Sequence, residues 1–230
     1  MEWARFAERM ATMARDLLAQ DSVDATLERI TACAVDIVEG CDAAGILIFH
    51  GQRVETLAPT DGLVVRSDEL QDQLAEGPCF DAALRSRPVY RILDFAEPQE
   101  AWPEFASRVH ALGVGSMMAF RLYTREEELG YLNLYARRPA VFTEGSETAG
   151  WLLASHAAVA FSSARTADQL QHALTTRHTI GEAMGILMER RKIGEDEAFG
   201  VLRRVSQERN IKLRDIARQI SERGDIDGHA

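Results

Sequence analysis

Basic side chains gather toward the C-terminal part of the 230-residue chain, at positions where they could hold a polyanion. The set consists of Arg177, Arg190, Arg191, Lys192, Arg203, Arg204, Lys212 and Arg214. Guanidinium groups donate to phosphate oxygens in a planar fork and stack on unpaired bases, so such a set could hold nucleic acid. Any one of these side chains alone is better explained as part of a solvated helix surface.

The charge of the chain changes sign along its length. Residues 1–164 contain 14 basic and 25 acidic side chains, a net charge of −11, whereas residues 165–223 contain 12 basic and 9 acidic side chains, a net charge of +3. Asp225 and Asp227 complete the total of −10. Only the second region is therefore compatible with a polyanionic partner.

The sequence lacks the common catalytic and metal-binding motifs. No GxSxG, P-loop, GxGxxG or HExxH pattern occurs, and we predict no enzymatic activity. Cys33, Cys41 and Cys79 include no CxxC pair, so neither a disulfide framework nor a metal site is indicated. The sequence has no apolar run of membrane-spanning length and no signal-like N-terminal segment, so we expect a cytoplasmic protein with reduced thiols.

Four residues are candidates for a small-molecule pocket: Cys79, Asp81, Trp102 and Phe105. A reactive thiol needs a cationic neighbour, and the nearby Asp81 favours a structural role for Cys79. Trp102 and Phe105 could line a ligand pocket or cap the core without a ligand. A small-molecule ligand therefore stays open, and the sequence requires no cofactor.

One long helix is predicted from Glu147 to Lys192, since these 46 residues contain no proline. It would extend about 69 Å, which is too long for one small core to cover. We expect its first half to pack on the preceding region and its last half to pack with the helices that follow. The apolar residues concerned are Trp151, Leu152, Leu153, Val159 and Phe161 in the first half, and Ile180, Ala183, Met184, Leu187 and Met188 in the last.

Small side chains in the middle of this helix predict a seam for pairing with a second helix. Ala157, Ala160, Ala164 and Ala167 are spaced by three, four and three residues, which places them on one face. This helix or the N-terminal helix could therefore pair with a second subunit. A solvated connector helix is the alternative, because two heptads are few.

Upstream of the long helix, helical apolar patterns and short apolar runs both occur. Local hairpins predict an antiparallel sheet with flanking helices, which is an α+β domain, and a three-helix bundle follows it. Helices are predicted at 2–19, 23–38, 68–75 and 80–86 and before Gly113, and strands at 44–49, 54–58, 88–93, 116–123 and 129–136. We divide the chain into an N-terminal helix (1–22), an α+β domain (23–162), a connecting helix (147–175), a helical domain (170–223) and a tail (224–230).

Residues 23–161 resemble a GAF domain of the kind found in bacterial regulatory proteins. The matching features are the AGILIF strand, the segment Glu76–Ala82, the Trp102-Pro103-Glu104-Phe105 element, the Gly113–Ser116 strand entry and Leu129–Tyr135. The resemblance implies a sensor of a small molecule or of redox state rather than an enzyme.

Residues 170–221 resemble an ANTAR domain, an RNA-binding module of bacterial transcription antiterminators. The pattern includes Ala183-x-Gly185-Ile186-Leu187-Met188, Ala198-Phe199 and Asn210-x-Lys212-Leu213-Arg214-Asp215. The resemblance implies a homodimeric, signal-responsive antitermination regulator that binds paired hairpins of a leader transcript. The RNA-binding residues would be Arg177, Gly185, Arg190, Arg191, Arg203, Lys212 and Arg214.

Two other functions stay open. The last two helices could act as a helix-turn-helix on DNA, although the exposed side of the last helix offers only Arg214, Arg218 and Gln219 to base edges. Alternatively, the chain could be a signalling scaffold in which the basic residues pair with the acidic first region.

Overall fold

The computed structural model describes residues 2–51, 53–85 and 88–224, and the chain divides into two compact units. The first unit ends at Thr166 and the second begins at Ala167. The boundary falls inside the helix Glu144–Arg191, so this one helix belongs to both units.

Five antiparallel strands form the sheet of the first unit. They are β1 Ala43–His50, β2 Arg53–Leu57, β3 Val89–Ile92, β4 Ser116–Tyr123 and β5 Glu128–Ala136, in the order β2-β1-β5-β4-β3. Both β1 with β2 and β4 with β5 are local hairpins. The predicted α+β class and antiparallel pairing are confirmed.

Helices cover both faces of this sheet because each strand alternates its side chains between two cores. On β4, Met118 and Phe120 belong to one buried cluster, whereas Met117 and Ala119 belong to the other. The first cluster includes α1 Glu2–Leu18, α2 Val23–Ile37 and the start of α6 Glu144–Arg191; the second includes α3 Gly62–Leu74, α4 Pro78–Arg85 and α5 Pro103–Ala111. The first unit is therefore a layered arrangement of helices, sheet and helices.

The third helix starts earlier than its sequence pattern indicated. α3 begins at Gly62 rather than at Asp68, because the Asp61 carboxylate accepts a hydrogen bond from Leu63 N at 2.7 Å and caps the first turn. Leu63 and Val64 are then buried in the second cluster. The predicted start at Asp68 is wrong.

The long helix α6 also begins slightly earlier than predicted, at Glu144. Ser146 Oγ accepts a hydrogen bond from Thr143 N at 3.1 Å, and Thr143 Oγ1 accepts one from Ser146 N at 3.2 Å. This reciprocal pairing satisfies N–H groups that the start of a helix leaves without partners.

Two apolar residues in the first half of α6 face away from the core. Leu153 and Phe161 are buried as predicted, but Leu152 and Val159 are 37% and 55% exposed. Leu152 and Val159 are seven residues apart and share a helix face opposite the buried stripe. The prediction that these two residues pack on the first unit is wrong.

The predicted alanine seam on α6 is interrupted by the core of the first unit. Ala157 and Ala160 are buried in the first cluster, whereas Ala164 is half-buried and Ala167 is exposed. Methyl groups already packed in that core cannot also meet a second helix. The seam prediction is therefore wrong for Ala157 and Ala160.

The second unit is a bundle formed by the last part of α6 with α7 Glu195–Arg209 and α8 Leu213–Arg223. Its core contains Ala183, Leu187, Ala198, Leu202, Ile216, Ala217 and Ile220. Asn210 and Gly224 end α7 and α8 with φ of 51° and 78°, the left-handed conformation that helix ends favour. None of the helices in the described ranges is both long and apolar enough for a membrane span.

Candidate functional site

All seven residues predicted to bind RNA are exposed on the second unit. They lie on all three helices: Arg177, Gly185, Arg190 and Arg191 on α6, Arg203 on α7, and Lys212 and Arg214 at the start of α8. Exposed arginines on helices can contact phosphates without displacing core side chains. Their distribution over several faces, however, means that one ligand need not contact all of them.

Two clefts between α6 and α8 bring some of these residues together. The first, which we call the Arg214 cleft, has a volume of about 200 Å³ and is lined by His172, Thr175, Thr176, Thr179, Arg214 and Arg218. The second, the Gly185 cleft, has a volume of about 640 Å³ and is lined by Glu182, Gly185, Ile186, Glu189, Arg190, Ser221 and Gly224. Arg177, Arg191, Arg203 and Lys212 line neither cleft.

The Gly185 cleft is open where Gly185 lacks a side chain. A Cβ atom added at Gly185 would meet nothing within 4 Å. On the opposite wall, Gly224 has φ +78°, and Arg190 Nη2 lies 2.9 Å from where its Cβ would be. The Oγ of Ser221 forms no hydrogen bond to any described group. This cleft therefore offers accessible backbone at Gly185, whereas the Ser221 hydroxyl is buried and is not presented to a ligand.

The sequence reasoning missed His172, Thr176, Arg218 and Ser221 as members of these clefts. One signal was present: Arg218 follows Arg214 by four residues, which places both on the same face of α8. The partners on α6 could not be found in this way, because they depend on which face of α6 packs against α8.

The residues predicted to form a ligand pocket lie in the interior of the first unit. Cys79 and Phe105 are fully buried and Trp102 is nearly so, while Asp81 is half-buried. Tyr90 joins two of them, since its hydroxyl donates to Asp81 Oδ2 at 3.0 Å and its ring meets Trp102 edge to face at 5.6 Å. The four residues are therefore packed into the interior of this unit by contacts within the protein.

A buried hydrogen-bond network centred on Asp68 occupies the same interior. The Asp68 carboxylate accepts hydrogen bonds from Tyr135 Oη at 2.8 Å, Thr56 Oγ1 at 2.9 Å and Asn133 Nδ2 at 3.2 Å. Cys79 Sγ donates to Asn133 Oδ1 at 3.2 Å. Burial raises the pKa of Asp68 to about 6, although these hydrogen bonds to the carboxylate oppose the shift.

Glu76 has a structural role that its sequence position did not reveal. Its Oε2 accepts hydrogen bonds from the backbone N–H groups of Glu104 and Phe105 at 3.1 and 3.0 Å. The residue at the N-cap of α5, Trp102, provides no side-chain acceptor, so Glu76 caps this helix from a distant segment. The Glu76–Ala82 segment thereby fixes the start of α5 as well as the position of Cys79.

The three cysteine thiols are expected to be unreactive in the folded protein. Burial raises the pKa of Cys33, Cys41 and Cys79, that of Cys41 to about 12, and only a thiolate attacks a disulfide reagent. At about pH 8, Ellman's reagent should modify all three thiols rapidly in denaturant and none rapidly in the native protein. A fast native reaction that Cys79→Ser abolishes would instead identify Cys79 as a reactive thiol.

No cluster of metal-ligating side chains is found among the residues that the structure describes. The arrangement in the first unit is that of a packed polar interior, and the arrangement in the second is that of an exposed basic surface with two clefts.

Comparisons with protein families find a matching family for each part of the chain. The GAF domain family matches residues 20–162, and the ANTAR domain family matches residues 168–220. A comparison with curated proteins finds no significant match.

Solved structures share the fold of the first unit at low sequence identity. The GAF domain of a phosphoenolpyruvate-protein phosphotransferase from Coxiella burnetii is 17% identical with a TM-score of 0.56, and the match covers 71% of this chain and 96% of that one. The free methionine-R-sulfoxide reductase from Neisseria meningitidis, solved with its substrate, is 14% identical with a TM-score of 0.54, covering 73% and 94%. The chromophore-binding domain of a bacteriophytochrome from R. palustris is 12% identical with a TM-score of 0.55, covering 71% and 63%.

The two family matches establish the general role of the chain. ANTAR domains are RNA-binding modules of antitermination regulators, and GAF domains are sensor folds, so both domains are regulatory in kind. The chain belongs to the GAF domain family and carries an ANTAR domain after its GAF domain.

Proposed function

We propose that this protein is a transcription antitermination regulator that binds hairpins of a leader transcript through its second unit. The observation that supports this most directly is the exposed basic surface of the ANTAR domain, with Arg214 and Gly185 each at a cleft between α6 and α8. Occupied hairpins would prevent a terminator from forming. Because nascent transcripts are the target, we place the protein in the cytoplasm, and we assign it no enzymatic activity.

Equilibrium binding tests this function. A labelled leader RNA with two hairpins should bind the full-length chain more tightly than RNA of the same length and random sequence, as measured by fluorescence anisotropy. Equal affinity for both RNAs, in the monomer and in any dimer, would contradict the proposal. Duplex DNA of equal charge is the control for the alternative function.

One observation favours RNA over a helix-turn-helix on DNA. Arg214 and Arg218 are exposed, but both line a cleft between α8 and α6, so they border a recess that two helices share. A major groove accepts a whole helix face, whereas an unpaired loop can place single groups into a cleft. Tighter binding to duplex DNA than to hairpin RNA would reverse this ranking. The scaffold alternative would instead give salt-dependent association of the separated units and no binding to either nucleic acid.

We further propose that the first unit senses a small-molecule signal and that α6 transmits it. Two relatives of similar fold support a ligand-binding role, since one was solved with its substrate and the other is a chromophore-binding domain. In this chain, the Asp68 network and the residues Cys79, Asp81, Trp102 and Phe105 occupy the region where we place the signal. A ligand there must replace hydrogen bonds that the protein now makes to itself.

A homodimer remains part of the proposal, because two hairpins call for two RNA-binding units. On α6, Leu170 and Leu174 are 61% and 53% exposed and lie one turn apart beyond the half-buried Ala164 and the exposed Ala167. We infer that pairing uses this later part of α6 rather than Ala157 and Ala160. Native mass spectrometry of the purified protein reports the number of subunits and any bound ligand together.

Gly185→Ala is expected to weaken RNA binding without destabilising the fold. The new methyl group meets nothing within 4 Å in the protein, and alanine stabilises a helix by about 0.5–1 kcal/mol relative to glycine. If RNA backbone or a base approaches Gly185, the same methyl group should weaken hairpin binding by about tenfold, or about 1.4 kcal/mol. Gly181→Ala is the matched control, because Gly181 is also exposed and uncrowded but lines neither cleft.

A further inference from the structure

The Arg214 cleft collects positive charge without a carboxylate in its lining. Arg214 and Arg218 are four residues apart on one face of α8, and His172 stands on the α6 wall. Asp215 Oδ1 is 3.7 Å from Arg214 Nε and Asp168 Oδ2 is 3.6 Å from His172 Nε2, but neither acid lines the cleft. The two guanidinium groups therefore repel one another, and a bound anion would offset that repulsion.

Arg218 is the less constrained of the two arginines. Within the described part of the chain it forms no ion pair, so binding an anion would not require it to give up another partner. Arg214 loses little when it binds an anion, because its one acidic neighbour, Asp215, lies 3.7 Å away. Surface ion pairs contribute at most about 1 kcal/mol, so exchange of such a contact for a phosphate is favourable.

The hydroxyl groups of the cleft differ in what they can offer. Thr175 and Thr179 donate to the carbonyl oxygens of Gln171 and Thr175 at 3.0 and 3.1 Å, so their protons are already used. The half-buried Thr176 forms no side-chain hydrogen bond among the described residues and can donate to an anion. The donors thus lie on both walls, two arginines on α8 and Thr176 on α6.

The start of α8 adds a small positive potential to that of the two arginines. Its N-cap residue, Lys212, provides no side-chain acceptor, so backbone N–H groups of the first turn lack a side-chain partner. The partial positive charge at this end of the helix favours an anion, and the Asp215 carboxylate in the first turn offsets part of it.

The volume of the cleft limits the class of ligand. Pockets for drug-sized molecules have volumes of roughly 300–1,000 Å³, and the Arg214 cleft has about 200 Å³. That volume suits a single tetrahedral anion, and the fork of a guanidinium matches two phosphate oxygens. We propose that the Arg214 cleft binds one phosphate group of the RNA backbone, with Arg214, Arg218 and Thr176 as its donors.

This inference rests on the proposed RNA-binding function and makes it more specific. The Arg214 cleft lies at the start of α8, and Ser221 and Gly224 of the Gly185 cleft lie at its end. An RNA strand whose phosphate is bound at Arg214 can therefore continue along α8 to the Gly185 cleft. Arg203 and Arg204 on α7 line neither cleft and are assigned no role in this contact.

The test compares two double variants of the full-length chain that lose the same charge. Arg214→Gln/Arg218→Gln removes the cleft arginines, and the control variant Arg209→Gln/Arg223→Gln removes two exposed arginines that line neither cleft. Hairpin RNA binding is measured by anisotropy at several salt concentrations. We expect the cleft variant to bind about tenfold more weakly or worse and its salt slope to fall by about 0.7–0.9, the value for one lost phosphate contact. The control variant should bind within about threefold of the wild type.

The outcomes separate this inference from the proposed function. If the wild-type protein does not prefer hairpin RNA, the proposed function fails and the inference fails with it. If the wild-type protein binds hairpin RNA but the two variants weaken binding equally, or neither weakens it, the phosphate site at Arg214 is wrong and the function stands. Circular dichroism of both variants confirms that they are folded.

Calorimetric titration with inorganic phosphate distinguishes a backbone phosphate from a free anion. We expect no saturable binding of phosphate alone at millimolar concentrations, because one exposed contact is too weak without the rest of the RNA. Saturable phosphate binding that Arg214→Gln/Arg218→Gln abolishes, with hairpin affinity unchanged, would assign the cleft to a free anion and overturn the proposal.

Discussion

Asp68→Asn is expected to stabilise the first unit by up to about 3 kcal/mol at neutral pH. Burial raises the pKa of Asp68 from 3.8 to about 6, so the folded state disfavours the charged carboxylate by about 1.4 kcal/mol for each pH unit of that difference. Asparagine has nearly the same shape and carries no charge. It can still accept from Tyr135 and Asn133, and its amide can donate to Thr56, which now donates to Asp68.

The pH dependence of this effect has a definite sign. Because the folded state raises the pKa of Asp68, the favourable contribution of the protonated form is complete below pH 3.8 and is lost as the pH rises through about 6. The stability difference between Asp68→Asn and the wild-type protein should therefore be small near pH 4, increase up to about pH 6 and remain constant above it.

Urea denaturation followed by tryptophan fluorescence measures this difference. Trp3, Trp102 and Trp151 all belong to the first unit, so the signal reports the unfolding of that unit alone. Glu69→Gln is the matched control, because Glu69 is exposed on the same helix. A stability difference for Asp68→Asn that does not change with pH, or a destabilised variant at pH 7, would show that the network depends on the charged carboxylate.

Gly130→Ala is expected to destabilise the first unit by about 3–5 kcal/mol. Gly130 lies in β5 with φ +138°, a conformation that residues with a Cβ rarely adopt, and a Cβ there would overlap the backbone oxygen of Leu47 on β1. The backbone strain costs about 1–3 kcal/mol, and overpacking against a rigid neighbour costs a similar amount. The β1–β5 ladder, in which Leu47 pairs with Tyr131, must shift to accommodate the methyl group.

Gly113→Ala separates the effect of backbone strain from that of steric overlap. Gly113 has φ +91°, but a Cβ there would meet nothing within 4 Å, so this variant carries the strain without the overlap. In urea denaturation it should lose only about 1–3 kcal/mol. Equal losses for Gly113→Ala and Gly130→Ala would mean that the close approach of β5 to Leu47 contributes nothing.

Local patterns predicted the regular elements of both units well. The nearly continuous apolar runs in Ala43–His50 and Ser116–Tyr123 reflect strands that are buried on both faces, and Asn210 marks the end of α7 as its left-handed preference implies. The early start of α3 was not predicted because it depends on Asp61, a cap seven residues before the Asp68 start that the apolar pattern suggested.

Tertiary packing determines the features that local sequence patterns did not predict. Leu152 and Val159 are as apolar as Leu153, yet only the position of the sheet determines which face of α6 is buried. In the same way, Asp68 and Asn133 are 65 residues apart, and their hydrogen bond follows from the packing of α3 on β5. The Arg214 cleft depends on the pairing of α6 with α8, so only its α8 half could be anticipated from spacing.

Transcription in vitro through a leader terminator tests the central claim most directly. The template encodes two hairpins, the second of which overlaps the terminator, and a bacterial RNA polymerase transcribes it with increasing amounts of the full-length protein. We predict that readthrough rises with the wild-type protein and that Arg214→Gln/Arg218→Gln requires about tenfold more protein for the same effect. An unchanged ratio of readthrough to termination, at protein concentrations that saturate the leader RNA, would contradict the assignment of this chain as an antitermination regulator.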